Sequence, residues 1–545
     1  MPRRLIVLAN KNISRRDFLK GAAAGAAGIA AIGLLGTGLP EACAEEAPEK
    51  ISPDAVEDCD VVVVGVGCAG ISACVEAAEL GVKVVGIDRA MGVAGTNACM
   101  VVGIYGVKDP SEIPASFRFM TSKTSYQFNN RFVRRYLDII ELQMEKYKEK
   151  GMSIRDVAKP SEDGNYTSYQ HMYEKRTGER AAEFETMLGS YDNLKLCWQT
   201  EVTQLLTEDS KVTGVYAKGP DGLITQYNAK GGVIVCTGGF AANMDMVKQF
   251  MGGAVSIPTG SSFNDGAGIR LVQSVGGQIG KNFAINAVEG GALQPKATCI
   301  KDIMHPNYNS MLRSIVMGDV IVNKRGERFV DEAVMCQKTM MFCSEPVTRE
   351  GGIYYSIMPH SEMEMLKEMN LEEFCQKRYG FTISHAMIKK FLAANPMPNM
   401  EADAEAAISE GWCWKGNTFE ELEEASGIPN IAQTMKEYNE MCEKGEDTLL
   451  YKDPAFLLPY REEDGPFYLI ENYLGSCATQ GGMKTDDYCR ALNSDHNVIE
   501  GLFVAGLDAD IESTPYMVGA TCHGFSVGSG YIAAEAAAER AKKAL

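Results

Sequence analysis

The sequence predicts an α/β fold built on a parallel sheet, and three observations between residues 60 and 89 support this prediction. The valines at 61–64 form a continuous apolar run, which is typical of a strand buried on both faces of a sheet. Gly65, Gly67 and Gly70 follow in the spacing G-x-G-x-x-G, which allows a tight turn close to a pyrophosphate and a helix that starts at the phosphates. A second apolar strand ends at Asp88, where an acid can accept the hydroxyls of an adenosine ribose. Together these observations predict a Rossmann-like dinucleotide-binding domain.

Residues 1–44 have the features of an export signal. Residues 14–20 read S-R-R-D-F-L-K, a twin-arginine motif, and an apolar run rich in Gly and Ala follows at 21–39. Residues 42–44, A-C-A, form a small-residue cleavage site. A membrane anchor is the alternative, because roughly 19 apolar residues can just span a bilayer. The glycines in the run and the cleavage site favour removal. We therefore predict export to the periplasm or another extracytoplasmic location, with membrane association left open.

Length, charge and cysteine spacing exclude several classes of protein. About 500 residues after the signal are too many for one core and predict at least two domains, and nothing there is apolar for long enough to span a membrane. Removal of the signal takes the formal net charge from −19 to −23, which argues against nucleic acid and anionic lipid as partners. The 16 cysteines form no C-x-x-C or C-x-x-C-H, so we predict neither covalent haem nor an iron–sulfur cluster, and no metal site.

Two motifs beyond Asp88 are rich in small residues. The first is G-V-A-G-T-N at 92–97, and the second is G-G-V-I-V-C-T-G-G-F-A-A-N at 231–243, in which a buried strand ends in a Gly-Gly turn. On these motifs the chain resembles the flavoproteins of the fumarate reductase/succinate dehydrogenase family, and the resemblance covers residues 58–545. It implies a FAD cofactor. Some members attach FAD through a histidine near the first motif, but none lies between Asp88 and His171, so we expect non-covalent FAD.

The resemblance also implies the domain organisation. Residues 501–508, G-L-F-V-A-G-L-D, resemble the strand and turn that close the family's FAD site, and residues 516–534 resemble its terminal helix. We expect a Rossmann-like FAD-binding domain at 55–295 and 469–545, with an inserted α+β capping domain at 296–468. The residues expected to bind FAD are Gly65, Gly67, Ala69, Gly70, Asp88, Arg89, Gly95, Thr96, Asn97, Val202, Gly238, Gly239, Asp265, Asp508, Ser526 and Val527.

The catalytic motifs of the family are altered. Residues 323–332, N-K-R-G-E-R-F-V-D-E, resemble a hairpin of the family's cap. Fumarate and urocanate reductases place a proton-donating arginine four residues after its last glutamate, whereas this chain has Cys336. The family's clamp histidine corresponds to Ala478, and its clamp arginine falls near Thr521. The resemblance therefore implies that fumarate is not the substrate.

Four residues are candidates for catalysis. Tyr516, Lys338 and His523, in that order, are candidates for the proton donor. Tyr516 precedes the terminal helix, and the family's ketosteroid dehydrogenase-like branch uses phenols as acids. His305, in a His-Pro pair that resembles the H-P-T of the cap, is a candidate for holding a substrate carboxylate. Both histidines have a purely structural alternative.

We therefore predict an exported FAD-dependent reductase of an activated C=C bond, in an α,β-unsaturated acid or ketone, that takes part in anaerobic electron disposal. Hydride would come from flavin N5 and a proton from a side chain. The chain has no carrier domain of its own, so we expect a separate electron donor, a cytochrome or flavoprotein. A 3-ketosteroid-type dehydrogenase is the alternative reaction, and a flavin electron carrier without a substrate is the alternative from another class.

The export prediction can be tested with one double variant. Replacing Arg15 and Arg16 with Lys should leave unprocessed holoprotein in the cytoplasm, because the pathway recognises the paired guanidinium groups. Immunoblots of cell fractions measure this, and the single variant Lys11→Arg is the control. Normal processing of the double variant would contradict the assignment.

Overall fold

The structure of the protein, a computed structural model, describes residues 51–101, 103–161, 164–287, 311, 320–333, 344–380, 396–512 and 518–544. The predicted signal at 1–44 lies outside these ranges. So do three of the four catalytic candidates, His305, Lys338 and Tyr516.

The strands, in chain order, are β1 (Ala55–Val64), β2 (Val84–Ile87), β3 (Gly103–Gly106), β4 (Ile154–Pro160), β5 (Thr167–Tyr173), β6 (Leu194–Cys197), β7 (Glu201–Glu208), β8 (Lys211–Lys218), β9 (Ile224–Val235), β10 (Ile257–Pro258), β11 (Ala284–Ala287), β12 (Val320–Val322), β13 (Ile353–Pro359), β14 (Cys413–Gly416), β15 (Phe467–Tyr473), β16 (Gly475–Gln480), β17 (Arg490–Leu492) and β18 (Val498–Val504).

The helices are α1 (Cys68–Glu79), α2 (Ile113–Lys123), α3 (Asn130–Glu149), α4 (Thr177–Leu188), α5 (Met244–Phe250), α6 (Ala267–Gln273), α7 (Ser344–Arg349), α8 (His360–Glu368), α9 (Leu371–Tyr379), α10 (Met400–Glu410), α11 (Phe419–Ser426), α12 (Ile431–Lys444) and α13 (Thr521–Lys543). Among the described residues, no helix is both long enough and apolar enough to cross a membrane.

The central sheet has the order β17-β18-β9-β1-β2-β6, and the β7–β8 hairpin adds to it beside β9. Strand β1 pairs in parallel with β2 and with β9, so that Val62 lies between Val85 and Val233. The valine run of β1 is almost fully buried because both faces of this sheet are covered. This confirms the predicted α/β fold. Helix α1 begins at Cys68, directly after Gly67 of the glycine motif.

Helix α13 packs on α1 over one face of the sheet. Its small residues let the two backbones approach closely: a Cβ at Gly530 would overlap the carbonyl oxygen of Ala69. Phe525, on the same helix, packs edge-on against Phe128, Phe132 and Tyr136. The C-terminal helix therefore holds α1, and with it the start of the dinucleotide motif, in place.

A second, antiparallel sheet has the order β12-β13-β15-β14. Its face is covered by α11 and α12, and the residues between them form a separate apolar cluster that includes Val320, Val322, Ile357, Leu422, Ile431, Met435 and Leu469. Most of this sheet falls in the segment predicted to form the cap. Strand β15 runs across the expected boundary at 468/469, and the domain limits stay a prediction.

A buried ionic cluster fastens the hairpin motif at 323–332. Arg328 donates to Glu332 from Nε at 2.9 Å and from Nη2 at 2.8 Å, and Nη2 also donates to Asp447 at 2.8 Å. The Lys452 ammonium lies 3.5 Å from Glu332, and all four side chains are buried. Burial opposes the charge of Asp447, but the bonds from Arg328 hold its pKa at about 2. The two cations and two carboxylates thus balance one another.

Removing one member of this cluster should destabilise the protein. We expect Arg328→Met to lower the free energy of unfolding by about 3–5 kcal/mol, because it leaves two buried carboxylates with one cation. The control Arg325→Met removes an exposed ion pair with Glu327 and should cost much less, because solvent screens exposed charges. Urea denaturation followed by tryptophan fluorescence measures both. Equal losses would contradict a special role for the buried cluster.

Candidate functional site

A cavity of about 830 Å³, counted with its open mouth, lies at the carboxyl ends of the parallel strands β1, β2 and β9. This is where open parallel sheets bind ligands. Of the residues expected to bind FAD, eleven line this cavity: Gly65, Gly67, Ala69, Asp88, Arg89, Gly95, Thr96, Asn97, Val202, Gly238 and Ser526. Residues that the sequence did not single out also line it, among them Cys68, Thr200, Ser261, Asn264 and Leu507.

The turn between β1 and α1 forms one wall. Gly65 has a φ of +95°, and a Cβ there would lie 2.5 Å from the carbonyl oxygen of Cys236, so glycine is needed. Gly67 caps α1, whose first backbone N–H groups have no partner inside the helix and are suited to a phosphate. Gly70 does not line the cavity; a Cβ there would overlap the Gly65 carbonyl. Its contribution is the close packing of the turn.

The side of the cavity expected to hold the adenosine is defined by Asp88 and Arg89. The Asp88 carboxylate accepts from the backbone N–H of Val66 at 2.6 Å and of Ala90 at 2.7 Å. Burial raises the pKa of Asp88, and these two bonds oppose the rise. Arg89 donates to Asp265 at 2.9 Å. Asp265 was expected to contact FAD. It is not among the residues that line the cavity, and its carboxylate is paired with the guanidinium of Arg89.

The side expected to hold the flavin is formed by the Gly238–Gly239 turn after β9, with φ values of +101° and +75°. Asp508 is fully buried, and its carboxylate accepts from Thr237 Oγ1 at 2.9 Å, from Gly239 N–H at 2.9 Å and from Thr237 N–H. Neither Asp508 nor Gly239 lines the cavity. Asp508 therefore holds the turn in shape, and its predicted contact with FAD stays a prediction.

Two other segments complete this end. Asn97 joins the loop at 92–97 to its neighbours: its Nδ2 donates to the Cys477 carbonyl at 3.1 Å and its Oδ1 accepts from Ser261 N–H at 2.7 Å. On α13, Ser526 lines the cavity, whereas Val527 is buried in the helix packing. The residues present fit FAD. The glycine turns leave room beside the backbone, the N–H groups at the start of α1 are suited to a phosphate, and an acid lies at the position expected for the ribose.

His523 is the one catalytic candidate among the described residues. It is buried, its ring lies 5.6 Å from that of Tyr173, and its Nδ1 has no partner in the described part of the chain. Burial, together with nearby Arg180, lowers the pKa of His523 to about 3. Its imidazole is therefore neutral at ordinary pH and poorly suited to donate a proton. The structure favours a packing role for this residue.

Two functional candidates were missed in the sequence, Gln480 and Glu512. Glu512 is buried, and Thr521 Oγ1 lies 2.7 Å from its Oε1. Burial raises the pKa of Glu512 to about 7, against the effects of Thr521 and the Gln480 amide. Each lies close to a position that the sequence analysis had singled out, since Gln480 comes two residues after Ala478 and Glu512 four residues after Asp508. Burial of a carboxyl cannot be read from such positions.

The mode of FAD attachment can be tested directly. No histidine is among the residues that line the cavity in the described ranges, so acid precipitation should release yellow FAD into the supernatant. Gly65→Ala should be isolated with much less FAD, because the turn has no room for the methyl group, whereas Gly178→Ala, with open space around it, should retain it. Flavin that stays on the precipitated protein would contradict non-covalent binding.

Comparisons with known proteins place the chain in a family. The family profile described as FAD binding domain matches residues 60–530, and the twin-arginine signal profile matches residues 12–31. Vinyl phenol reductase of Lactiplantibacillus plantarum is 26% identical over 86% of this chain and 94% of that protein. Urocanate reductase of Eggerthella lenta is 24% identical over 85% and 72%.

Among solved structures, the open conformation of a flavocytochrome c3 fumarate reductase has the same fold. It aligns with a TM-score of 0.61 and 18% identity, over 97% of this chain and 82% of that one. The matched signal confirms the predicted export, and the family confirms FAD as the cofactor. The chain belongs to the FAD-binding-domain family of fumarate reductase-like flavoproteins, and it is an exported FAD-dependent oxidoreductase that acts on CH–CH or C=C bonds.

Proposed function

We propose that the protein reduces an activated C=C bond in a compound that is not a dicarboxylate, such as a vinyl phenol or an enone. The relatives named above support reduction, since their names give a vinyl phenol and urocanate as substrates. Vinyl phenol reductase, which matches almost end to end, acts on a compound without a carboxylate.

The observation that carries the proposal is the absence of cations at the two clamp positions. Ala478 is buried on β16 opposite Asn286 of β11. Thr521, at the start of α13, is fully buried, and its hydroxyl is engaged by Glu512 and by the Val518 carbonyl, each at 2.7 Å. A dicarboxylate would lose two charged hydrogen bonds, each worth about 1.5–3 kcal/mol. In their place it would meet the carboxyl of Glu512.

Residues of this chain shape the flavin end of the site and set the electrostatic field there. Bound FAD supplies the hydride for the β-carbon of the alkene. The Gly238–Gly239 turn, held by Asp508, leaves room for the ring beside Leu507 and Ser526. The N-terminus of α13 favours negative charge near it. Tyr516 and Lys338 stay the proton-donor candidates proposed from sequence. Electrons would come from a separate donor, a cytochrome or flavoprotein.

A panel of acceptors tests this proposal. Holoprotein with reduced FAD, kept free of oxygen, should be reoxidised by 4-vinylphenol or cyclohex-2-enone at least about tenfold faster than by fumarate, the factor given by 1.4 kcal/mol. Absorbance of the oxidised flavin measures the rate, and free reduced FAD is the control.

Each other result would contradict the proposal in a different way. If fumarate were the best acceptor, the protein would be assigned as a dicarboxylate reductase. Reduction of oxidised FAD by a 3-ketosteroid, with no reoxidation by alkenes, would identify the dehydrogenase alternative. No reaction with any alkene or steroid, together with rapid exchange with a redox protein, would identify an electron carrier.

A further inference from the structure

We infer that Glu512 and Gln480 form a polar subsite that binds an uncharged carbonyl or hydroxyl group of the substrate and excludes carboxylates. This inference rests on the proposed function, because it assigns the substrate class of the same site. We call the two residues the Glu512–Gln480 subsite.

The subsite lies beside the flavin end of the cavity. Thr479, the neighbour of Gln480 on β16, accepts from Phe240 N–H at 3.0 Å, directly after the Gly238–Gly239 turn. Glu512 follows the segment of Leu507 and Asp508 that packs on the same turn. Both residues thus extend from elements that shape the flavin end.

Both side chains have polar atoms that no described residue satisfies. Gln480 is fully buried. Its amide is near enough to Glu512 to lower the pKa of that carboxyl, but neither its amide oxygen nor its amide nitrogen makes a hydrogen bond of normal geometry with a described residue. Glu512 is 4% exposed, and its Oε2 also makes none. Buried polar groups without partners are costly, so such a group of atoms indicates a ligand. An amide that both donates and accepts, beside a carboxyl, matches a hydroxyl or carbonyl oxygen.

Proton counting indicates that Glu512 is uncharged. The Thr521 hydroxyl has one proton, yet it lies 2.7 Å from both Glu512 Oε1 and the Val518 carbonyl oxygen. The carbonyl can only accept, so a second proton on the carboxyl satisfies both contacts. Cys522 is the titratable group that faces Glu512, and burial raises the pKa of its thiol well above the ordinary value, so it stays neutral. No cation contacts Glu512 among the described residues, which agrees with its pKa of about 7.

This arrangement discriminates by charge. Below about pH 7 Glu512 holds its proton and does not repel an anion. As the pH rises through the pKa, the carboxylate that forms repels a ligand carboxylate, since like charges at close range are unfavourable in a buried site. A neutral ligand suffers no such repulsion. Anion affinity should therefore fall with rising pH while neutral affinity stays nearly constant.

Two probes of the same shape test this on oxidised holoprotein. The probes are 4-ethylphenol, which is neutral, and 4-ethylbenzoate, which is anionic, and the change in flavin absorbance gives the Kd without turnover. From about pH 6 to about pH 8 the Kd of 4-ethylbenzoate should rise about tenfold, and that of 4-ethylphenol by less than about threefold, as expected for one linked proton. Glu512→Gln should bind 4-ethylbenzoate with the same Kd at both pH values.

Two further variants keep the test decisive. Asp510→Asn removes a neighbouring buried acid whose pKa is also raised, to about 6, and should keep the wild-type pH dependence. Thr521→Val removes the hydroxyl that lies 2.7 Å from the Glu512 carboxyl, so the transition should move away from its wild-type pH. This second variant gives an answer even if Glu512→Gln does not fold.

Any of three results would overturn the inference: a wild-type Kd for 4-ethylbenzoate that does not change with pH, an unchanged dependence in Glu512→Gln, or no binding of either probe. Failure here, with alkene-driven reoxidation intact, would remove only the subsite. The expected pH dependence with no alkene reduction would instead contradict the proposed function.

Discussion

The carboxylate of Asp508 joins the two strand ends on which the flavin side of the site depends. It comes from the turn after β18 and accepts hydrogen bonds from the turn after the parallel neighbour β9. Without these bonds, a sharp turn with two left-handed glycines would leave its N–H groups unpaired in the interior. Burial raises the pKa of this group, and the bonds from Thr237 and Gly239 oppose the rise. The flavin end is thus shaped by a residue that does not touch the cavity.

The two ends of the site differ in electrostatic character. At the adenosine end, the guanidinium of Arg89 lines the cavity and is paired with Asp265. At the flavin end, the described clamp positions carry Ala478 and Thr521, and Thr521 contacts the carboxyl of Glu512. Among the described residues, a cation therefore lines the adenosine end, whereas the two clamp positions at the flavin end carry none. This contrast underlies the substrate class that we propose.

Stability and function are separated in this chain. The hairpin motif at 323–332 resembles part of the family's substrate cap, yet its most distinctive residues, Arg328 and Glu332, are fully buried in a cluster with Asp447 and Lys452. The four charges balance one another in a low-dielectric interior. A motif can thus identify a family through a residue pair whose described contacts lie in a buried ionic cluster.

The sequence by itself determined the α/β fold, the export signal, the cofactor and eleven of the residues that line the cavity. These features depend on local patterns: a valine run, glycine spacing and an acid at a strand end specify their neighbours within about 30 residues. Tertiary structure alone decided which polar residues face the cavity and which support it. Asp265 and Asp508 do not line the cavity, and His523 is neutral, because partners distant in sequence occupy or desolvate them. Glu512 acquires its proton in the same way, through burial between β16 and α13, which no spacing along the chain encodes.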